Sequence, residues 1–240
     1  MNYQLALKLL SIICNPKYLK ALIRHSVAAG AEHEPVLRLS SFKVVIDIGA
    51  NRGQFALAVR ASIPNSYVIS FEPLPTPAAI FQRVFSDDDH VILHEAAIGA
   101  CIETRTMHIS HRDDSSSFLP ISSVQTALFP GTEEVARAKV HVAPLDKFIS
   151  ADDLHEPAML KLDVQGFEYE ALVGCESLLS YFQAIYCECS FVELYSGQKL
   201  ASNIIDWLHA RDFALIGIYN TSYDRQGRPV QADLLFARKK

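Results

Sequence analysis

The sequence predicts an α/β fold in which a mostly parallel, seven-stranded sheet carries helices on both faces and ends in an antiparallel last strand. Two observations predict it. Short β-branched, apolar runs alternate with helical stretches along most of the chain, and glycine or acidic residues follow the ends of several runs. The 240 residues are 50% hydrophobic and 20% charged, which suits a folded protein with a sizeable core.

The first half of the predicted sheet begins after a break at Ser40 and Ser41. Residues 42–48 form a buried strand that Gly49 stops, because a short run rich in β-branched residues is typical of a parallel strand covered on both faces. The elements that follow are a helix over 53–62, a strand over 67–71, a helix over 77–85 and a strand over 91–98.

The alternation stops between residues 101 and 142, and this stretch is predicted to be an insertion. It contains strand-like runs at 105–111 and 139–142, a polar loop at 113–117, and no clear period over 120–131. A loop of this length inside a compact domain is more often functional than idle. The alternation then resumes with strands over 158–162, 184–190, 213–219 and 232–237 and with helices over 168–179 and 199–210.

The domain prediction is therefore a helical N-terminal extension over 1–41 followed by the sheet domain over 42–240. Leu5, Leu9, Ile12 and Ile13 fall at helical spacing around Lys8. Such a helix either packs on the domain or lies on a membrane surface or on the substrate cleft. Lys8 interrupts the apolar stretch and no cleavage site follows, so a signal peptide is not predicted and a cytoplasmic location is expected.

Charge and cysteine content exclude several classes of protein. A net charge of −5 gives no strong attraction to nucleic acid. The sequence has no run of 18 apolar residues, which is about the length that a membrane-spanning helix needs, so no such helix is predicted. The five cysteines, at positions 14, 101, 175, 187 and 189, do not have metal-ligand spacing and are interpreted as reduced thiols, so no metal site is predicted.

A glycine-containing turn after the first strand carries the functional argument. It reads Asp47-Ile48-Gly49-Ala50-Asn51-Arg52-Gly53, and Glu72 ends the next strand. Ligands of open α/β sheets lie over the carboxyl ends of the strands. Gly49 lets the backbone turn and approach a ligand, Gly53 lets the helix pack close to the strand, and an acid at position 72 can accept hydrogen bonds from ribose hydroxyls.

The same turn favours S-adenosylmethionine over a dinucleotide. Dinucleotide sites use Gly-x-Gly-x-x-Gly to make room for a pyrophosphate, whereas this chain has Asp-x-Gly-x-x-x-Gly. An acid such as Asp47 is unfavourable beside a pyrophosphate but favourable beside the ammonium of an amino acid.

Several segments together resemble the FkbM-type methyltransferases over about residues 43–220. They are Val45 to Phe55, Phe71-Glu72-Pro73, Ala96 to Gly99, Leu145-Asp146, Leu160 to Glu168 and Glu188 to Phe191. The resemblance implies the Rossmann-like class I methyltransferase fold and methylation of a hydroxyl on a sugar, glycan, glycolipid or polyketide-like product. It also implies S-adenosylmethionine as cofactor.

Carried onto this chain, the resemblance gives a set of cofactor-binding residues. Asp47, Gly49 and Asn51 would line the methionine end, Glu72 would hold the ribose and Ala97 would lie by the adenine. Two neighbours in the same loop, Ala50 and Gly53, complete the predicted cofactor site.

The fourth strand supplies the predicted catalytic residues Asp163, Glu168 and Lys161. Lys161 and Asp163 share a strand face, and a buried lysine needs a partner, for which Glu188 on the neighbouring strand is the structural candidate. Gly166 permits a tight turn, and Glu168 opens a helix, where an acid is stabilised by the helix dipole.

The predicted reaction is an in-line displacement in which a substrate oxygen attacks the sulfonium methyl group. Asp163 is the first candidate for the base or for a hydroxyl-orienting acceptor, and Glu168 is the second. A divalent metal held by these two carboxylates is an alternative with an incomplete ligand set. His108 and His111 in the insertion are weaker candidates for reaching the cleft.

Small polar side chains in the insertion are predicted to bind the acceptor. Ser115, Ser116 and Ser117 suit hydrogen bonding to a polyol, with His111 nearby, although a solvated loop is the alternative. Trp207 is predicted to be core rather than a sugar platform, and Tyr195 and Tyr223 are weaker stacking candidates.

Three other functions stay open on sequence alone. The chain could be a catalytically idle cofactor-binding module that acts by interaction, or an NAD-linked oxidoreductase. A nucleic-acid methyltransferase is disfavoured by the net negative charge and by the lack of an Asn-Pro-Pro-Tyr-type motif at the fourth strand. Sequence does not define the oligomeric state.

Overall fold

The computed structural model describes the backbone of residues 3–239 and the side chains of residues 8–239. The strands are β1 (Val44–Ile48), β2 (Tyr67–Phe71), β3 (Val91–His94), β4 (Ala97–Ile98), β5 (Glu103–Ser110), β6 (Glu134–Ala143), β7 (Ala158–Leu162), β8 (Phe182–Ser190), β9 (Phe213–Tyr223) and β10 (Pro229–Arg238). The α-helices are α1 (Tyr3–Cys14), α2 (Pro16–His25), α3 (Glu34–Leu37), α4 (Gln54–Ser62), α5 (Pro75–Val84), α6 (Ser123–Leu128), α7 (Glu168–Gly174) and α8 (Ala201–His209).

The main sheet has seven strands in the order β3-β2-β1-β7-β8-β10-β9. Neighbours from β3 to β8 pair in parallel, and β10 pairs antiparallel with both β8 and β9. The predicted α/β fold and its antiparallel last strand are therefore confirmed. The chain reverses strand order between β1 and β7, so the carboxyl ends of these two strands border a crevice.

Both faces of the central strands are covered, which explains why their sequences are mostly apolar. On β1, Val44 and Ile46 pack with β8, α7 and α8 on one face, while Val45 packs on the opposite face. All five residues of β1 and all five of β7 are buried. A strand buried on both faces has no room for polar alternation, so each charge on it needs a partner.

The N-terminal helices cover the second face of the sheet. Tyr18 is fully buried and donates its hydroxyl to Glu34 Oε1 at 2.9 Å. Ile12 is buried and Lys8 pairs with Glu32 at 2.7 Å. The predicted amphipathic helix thus packs on the domain through these residues, while Leu9, Leu10 and Ile13 are exposed and the side chain of Leu5 lies outside the described part. No helix within residues 3–239 is both long enough and apolar enough to cross a membrane.

The single strand predicted over 91–98 is wrong, because it is two strands in different sheets. β3 is the edge of the main sheet, whereas β4 pairs with β6 in a second sheet of order β4-β6-β5. The chain turns between them where the Ala96 N–H donates to the His94 carbonyl at 2.9 Å. A two-residue strand directly after another strand gives no separate hydrophobic signal.

The predicted insertion supplies most of the second sheet. β6 begins before the predicted run over 139–142. Its first half is exposed, so the sequence has no alternation of buried and exposed residues that would mark it as a strand. α6 lies in the stretch without a period, and the Ser122 side chain caps it by accepting the Gln125 N–H at 3.2 Å. The helix predicted over 168–179 ends at Gly174, and a 3₁₀ helix continues over Glu176–Tyr181.

Candidate active site

A cleft with a cavity volume of about 270 Å³ opens at the carboxyl ends of β1, β2 and β7. Its floor is the strand tips, one wall is the second sheet, and its far rim is the N-terminal segment around His33.

The turn after β1 forms the floor of the cleft. Gly49 has a φ of +85°, and a Cβ there would come within 1.8 Å of the Asp163 carbonyl oxygen, so only glycine fits between the tips of β1 and β7. The Gly49 and Ala50 N–H groups both donate to the Phe71 carbonyl at 3.0 Å. Gly49, Ala50 and Asn51 line the cleft.

Glu72 lies on the wall of the cleft at the tip of β2. It is 5% exposed, and its carboxylate accepts the Asn51 N–H at 2.9 Å and the Leu74 N–H at 2.8 Å. Burial raises the pKa of Glu72 to about 7, against the lowering effect of these two hydrogen bonds. The side chain therefore fixes two loops and faces the ligand space.

Asp47 lies beneath this floor and is fully buried, so its carboxylate does not line the cleft. Asp47 and Lys161 are paired residues on β1 and β7, and Lys161 Nζ lies 3.2 Å from Asp47 Oδ1. Neither Asp47 oxygen has a partner with hydrogen-bond geometry among the described residues. Burial raises the pKa of Asp47, and the Lys161 ammonium opposes that rise.

Lys161 pairs with two acids, and the predicted pairing with Glu188 is wrong. Lys161 Nζ lies 3.5 Å from Asp163 Oδ2 and donates to the Gly49 carbonyl at 3.4 Å. Although burial lowers the pKa of Lys161, Asp47 and Asp163 raise it above its ordinary value, so the ammonium stays charged. Lys161 reaches Asp47 because the two are register partners on β1 and β7, so their side chains lie on the same face of the sheet.

Asp163 is the acid that the sequence correctly places at the cleft surface, where its side chain is 35% exposed. Gln165 Nε2 donates to Asp163 Oδ1 at 2.7 Å and to Glu188 Oε2 at 2.8 Å. Burial alone would raise the pKa of Asp163, but Lys161 and Gln165 lower it below the ordinary value. Burial and the neighbouring Asp163 raise the pKa of Glu188 well above the ordinary value for a glutamate.

Glu168 does not reach the cleft. Its carboxylate is buried and accepts the Val164 N–H at 3.1 Å and the Gly166 N–H at 3.0 Å. Burial raises its pKa to about 7. Because it lies behind the 163–167 turn, the structure brings neither an acid–base pair nor a shared metal site of Asp163 and Glu168 to the cleft surface. Its contacts shape the turn instead.

The other end of the cleft is apolar. Its side chains pack as a small cluster, namely Leu74, Ala97, Met107, Phe118 and Phe167. The sequence predicts only Ala97 here, because Met107 and Phe118 come from the insertion and Phe167 from the turn after β7. No spacing signal in the sequence joins three such distant segments.

The predicted acceptor-binding residues in the insertion separate into two groups. Ser116 lines the cleft, but Ser115, Ser117 and His111 do not. The Ser117 hydroxyl donates to the Gln165 carbonyl at 2.6 Å and therefore ties the insertion to the 163–167 turn.

The remaining candidates take structural positions. His108 pairs with Glu134 at 2.7 Å on the outer hairpin. Tyr195 is 1% exposed and donates to Gln165 Oε1 at 2.8 Å, so it cannot be a stacking surface. Trp207 lies in the core, as predicted, and Tyr223 is 63% exposed and outside the cleft.

Gly53 does not line the cleft. It packs against the end of α5, whereas the sequence predicts that it allows close packing of a helix on the strand. A Cβ at Gly53 would come within 2.5 Å of the Phe85 ring and 3.0 Å of Phe81. Next to it, Arg52 forms an ion pair with Asp113 at 2.6 Å, which the sequence did not predict. This pair joins the β1 turn to the insertion at the rim of the cleft.

The comparison with known proteins identifies the family. Residues 47–215 match the family profile described as the methyltransferase FkbM domain. The chain belongs to the FkbM methyltransferase family. The predicted resemblance is thereby confirmed, and this protein is a methyltransferase rather than an oxidoreductase.

Sequence relatives of this FkbM-family protein are also methyltransferases. It is 30% identical over 176 residues to the 2-O-methyltransferase NoeI of Sinorhizobium fredii, covering 69% of this chain and 70% of the relative. It is 23% identical over 146 residues to Methyltransferase 1 of Beauveria bassiana, covering 55% of this chain and 58% of that relative.

Solved structures support the class I methyltransferase fold. The methyltransferase FkbM of Methylobacillus flagellatus superposes with a TM-score of 0.57 at 17% identity over 93% of this chain, which spans only 50% of that larger chain. A candidate O-methyltransferase of Klebsiella pneumoniae superposes with a TM-score of 0.53 at 12% identity, covering 98% of this chain and 97% of the other.

The family and the fold imply a methyl donor of the S-adenosylmethionine type, and the cleft has the chemistry for one. Carboxylates outnumber ammonium groups on its walls, which suits a cationic sulfonium and disfavours a pyrophosphate. Among the described residues, two lysines line the cleft, Lys8 and Lys161, and both are paired with acids. The lining acids are Glu32, Glu72, Asp113, Asp114 and Asp163.

Proposed function

We propose that the protein transfers a methyl group from S-adenosylmethionine to a hydroxyl group of a sugar, glycan, glycolipid or polyketide-like acceptor. The observation that carries this proposal is that Glu72 and Asp163, at the tips of two different strands, face one cleft. Glu72 can accept hydrogen bonds from a ribose, and Asp163 can accept one from the acceptor hydroxyl. The name of the relative NoeI, a 2-O-methyltransferase, supports an oxygen acceptor.

Each part of the cleft has a role in this proposal. The Glu72 carboxylate accepts hydrogen bonds from the ribose hydroxyls, and the apolar cluster with Ala97 packs against the adenine. The Asn51 turn borders the methionine end. The bound donor supplies an electrophilic methyl group on a sulfonium. The fully buried Asp47 acts indirectly, by keeping Lys161 in place below the turn.

Asp163 orients the acceptor hydroxyl in this arrangement. The exposed part of its carboxylate can accept a hydrogen bond from the substrate hydroxyl, while Gln165 and Lys161 hold the carboxylate in position. A carboxylate whose pKa is lowered is a weak base. We therefore assign Asp163 to positioning of the hydroxyl, and the proton needs a separate acceptor.

The proposed reaction is tested by incubating the protein with S-adenosylmethionine and a panel of nitrophenyl glycosides. Products are detected by mass spectrometry, and each active glycoside is compared with its deoxy analogue. We expect a methyl ether from at least one glycoside and none from the analogue that lacks the reacting hydroxyl. Transfer to amine acceptors, with none to any hydroxyl compound, contradicts the proposal.

Substitution of Asp163 by asparagine is expected to lower turnover about tenfold while changing the affinity for S-adenosylhomocysteine less than about twofold. The amide keeps the side-chain shape but loses the charge-assisted hydrogen bond to the hydroxyl. Turnover is followed as S-adenosylhomocysteine release, and Asp152→Asn, at an exposed site, is the matched control. Equal turnover in Asp163→Asn and the control removes Asp163 from the acceptor site.

The affinity for S-adenosylhomocysteine is expected to fall about tenfold between pH 8 and pH 6. Glu72, with a pKa near 7, is mostly ionised at pH 8 and mostly protonated at pH 6. Only the ionised carboxylate accepts hydrogen bonds from both ribose hydroxyls while holding the Asn51 and Leu74 amides. Calorimetric titration across this range measures the change, and Glu72→Gln should bind weakly with a flat profile. A flat profile in the unmodified protein shows that Glu72 is not the ribose ligand.

A further inference from the structure

His33 is a cleft residue that comes from outside the sheet domain. It ends the 3₁₀ turn Ala31–His33, and this turn is anchored where the Gly30 N–H donates to the Gln54 carbonyl at 2.8 Å. Its ring packs edge-on against Phe55, with centroids 5.2 Å apart. The side chain is 16% exposed and lines the same cleft as Glu72 and Asn51.

One edge of the His33 ring is held by a polar network on three strands. His33 Nδ1 lies 3.1 Å from the Tyr186 hydroxyl, and that hydroxyl donates to Asp233 Oδ2 at 2.9 Å. Asn220 Nδ2 also donates to Asp233 Oδ2, at 2.8 Å. Asn220 Nδ2 also lies 3.2 Å from the Tyr186 oxygen and 3.3 Å from His33 Nδ1. The two amide hydrogens of Asn220 are used by its two shorter contacts, Asp233 and the Tyr186 oxygen, and the Tyr186 proton goes to Asp233. The Tyr186 oxygen keeps a second lone pair, which can accept the hydrogen of His33 Nδ1. The network therefore favours the tautomer with hydrogen on Nδ1.

The other edge of the ring is open to the cleft. Among the described side chains, those of residues 8–239, none forms a hydrogen bond with Nε2, and Nε2 is not one of the buried polar atoms that lack a partner. Nε2 is therefore accessible in the cleft and, in this tautomer, carries a lone pair. The rest of the ring is fixed by Phe55, Tyr186 and the anchored turn.

Four charged groups act on His33. Asp233 Oδ2 on β10 lies 3.6 Å from Nδ1, Glu32 precedes His33 in the chain, and Lys161 on β7 and Asp163 just after β7 also act on it. The other elements packed against the ring supply the uncharged side chains of Phe55, Tyr186 and Asn220. Burial lowers the pKa of His33, against the opposing effect of the acids. The neutral imidazole therefore predominates at pH 7, and Asp233 and Tyr186 can stabilise the imidazolium once it forms.

We propose that His33 is the general base that takes the proton of the acceptor hydroxyl. This assignment rests on the proposed O-methylation. The acceptor oxygen forms a bond to the methyl carbon, the carbon–sulfur bond breaks with its electron pair remaining on sulfur, and the hydroxyl proton moves to His33 Nε2. The products are a methyl ether, a neutral thioether and an imidazolium, which returns its proton to water. Asp163 orients the hydroxyl and His33 deprotonates it.

The first test needs no substrate. Long-range ¹H–¹⁵N NMR of the full chain reports the tautomer of each histidine, and the His33 signals are assigned by their loss in His33→Asn. We expect the Nδ1–H tautomer at pH 7.5 and protonation below pH 6.5. A proton on Nε2 in the neutral form, or an imidazolium at pH 7.5, overturns the assignment.

The second test separates base catalysis from cofactor binding. The assay uses an active glycoside and saturating S-adenosylmethionine, so that protonation of Glu72 does not shape the pH profile. His33→Asn should then lower kcat about 100-fold and remove the acidic limb of the kcat/KM profile for the glycoside. Its calorimetric Kd for S-adenosylhomocysteine should stay within about twofold of the unmodified protein, which also reports folding. The matched control is His155→Asn at an exposed position.

The outcomes distinguish this inference from the proposed function. Full turnover in His33→Asn rejects the base while O-methylation stands, and an unchanged pH profile with a large loss of S-adenosylhomocysteine affinity reassigns His33 to cofactor binding. If the unmodified protein methylates no hydroxyl compound, the proposed function fails and the base role fails with it.

Discussion

Replacing Lys161 with methionine is expected to lower the free energy of unfolding by about 3–5 kcal/mol, because it leaves buried Asp47 without a counter-charge. Asp47 is fully buried, and Lys161 Nζ is the only cation within 4.0 Å of it among the described residues. The same ammonium holds Asp163 and the Gly49 carbonyl. Methionine fills a similar volume, so the loss is electrostatic rather than a cavity effect.

A double-mutant cycle with Asp47→Asn isolates this interaction. Removing the acid should cost less in the Lys161→Met background than in the unmodified protein, because the unpaired charge is already the main defect there. Urea unfolding followed by circular dichroism gives the free energies. Lys147→Met is the matched control, since Lys147 is exposed and makes only a surface pair with Asp146. Additive effects of the two substitutions would show that Asp47 and Lys161 are energetically independent.

Replacing Glu72 with alanine is expected to weaken S-adenosylhomocysteine binding by about 1–3 kcal/mol. The substitution removes the acceptor for the ribose hydroxyls. It also releases the Asn51 and Leu74 amides, which are held at 2.9 Å and 2.8 Å, so the β1 turn loses its fixed shape. The result is expected as a Kd roughly 5–150 times higher in calorimetry.

The matched control is Glu95→Ala, an exposed glutamate whose side chain accepts only from Gln82 among the described residues. It should bind S-adenosylhomocysteine like the unmodified protein. Because burial raises the pKa of Glu72, its removal is not expected to destabilise the fold strongly at pH 8. An unchanged Kd in Glu72→Ala would mean that the nucleoside lies elsewhere.

The sequence predicts those elements of the fold that are marked by a short-range pattern of residues. β2 and β7 have the predicted bounds because each is a short, mainly apolar run that is followed by an acid, and the parallel arrangement brings Glu72 and Asp163 to one edge of the sheet. The break between β3 and β4 could not be predicted, since both halves are equally apolar and only the pairing of β4 with β6 separates them.

The parts of the site that the sequence misses depend on contacts between distant segments. Lys161 selects Asp47 over Glu188 because the β1–β7 register places them opposite each other, which spacing alone cannot show. Ser117 looks like a polyol ligand, yet it bonds to the Gln165 carbonyl. His33 lies in a segment that carries no motif, and its place in the cleft follows from helices that pack across the whole sheet face.

The most direct test of the account is a crystal structure of the protein with S-adenosylhomocysteine. We expect both ribose hydroxyls within hydrogen-bond distance of the Glu72 carboxylate and the adenine against Ala97 and Phe167. The sulfur should point toward the space between Asp163 and His33. A nucleoside bound away from the carboxyl ends of β1 and β2, or a Glu72 side chain that makes no contact with it, contradicts the account.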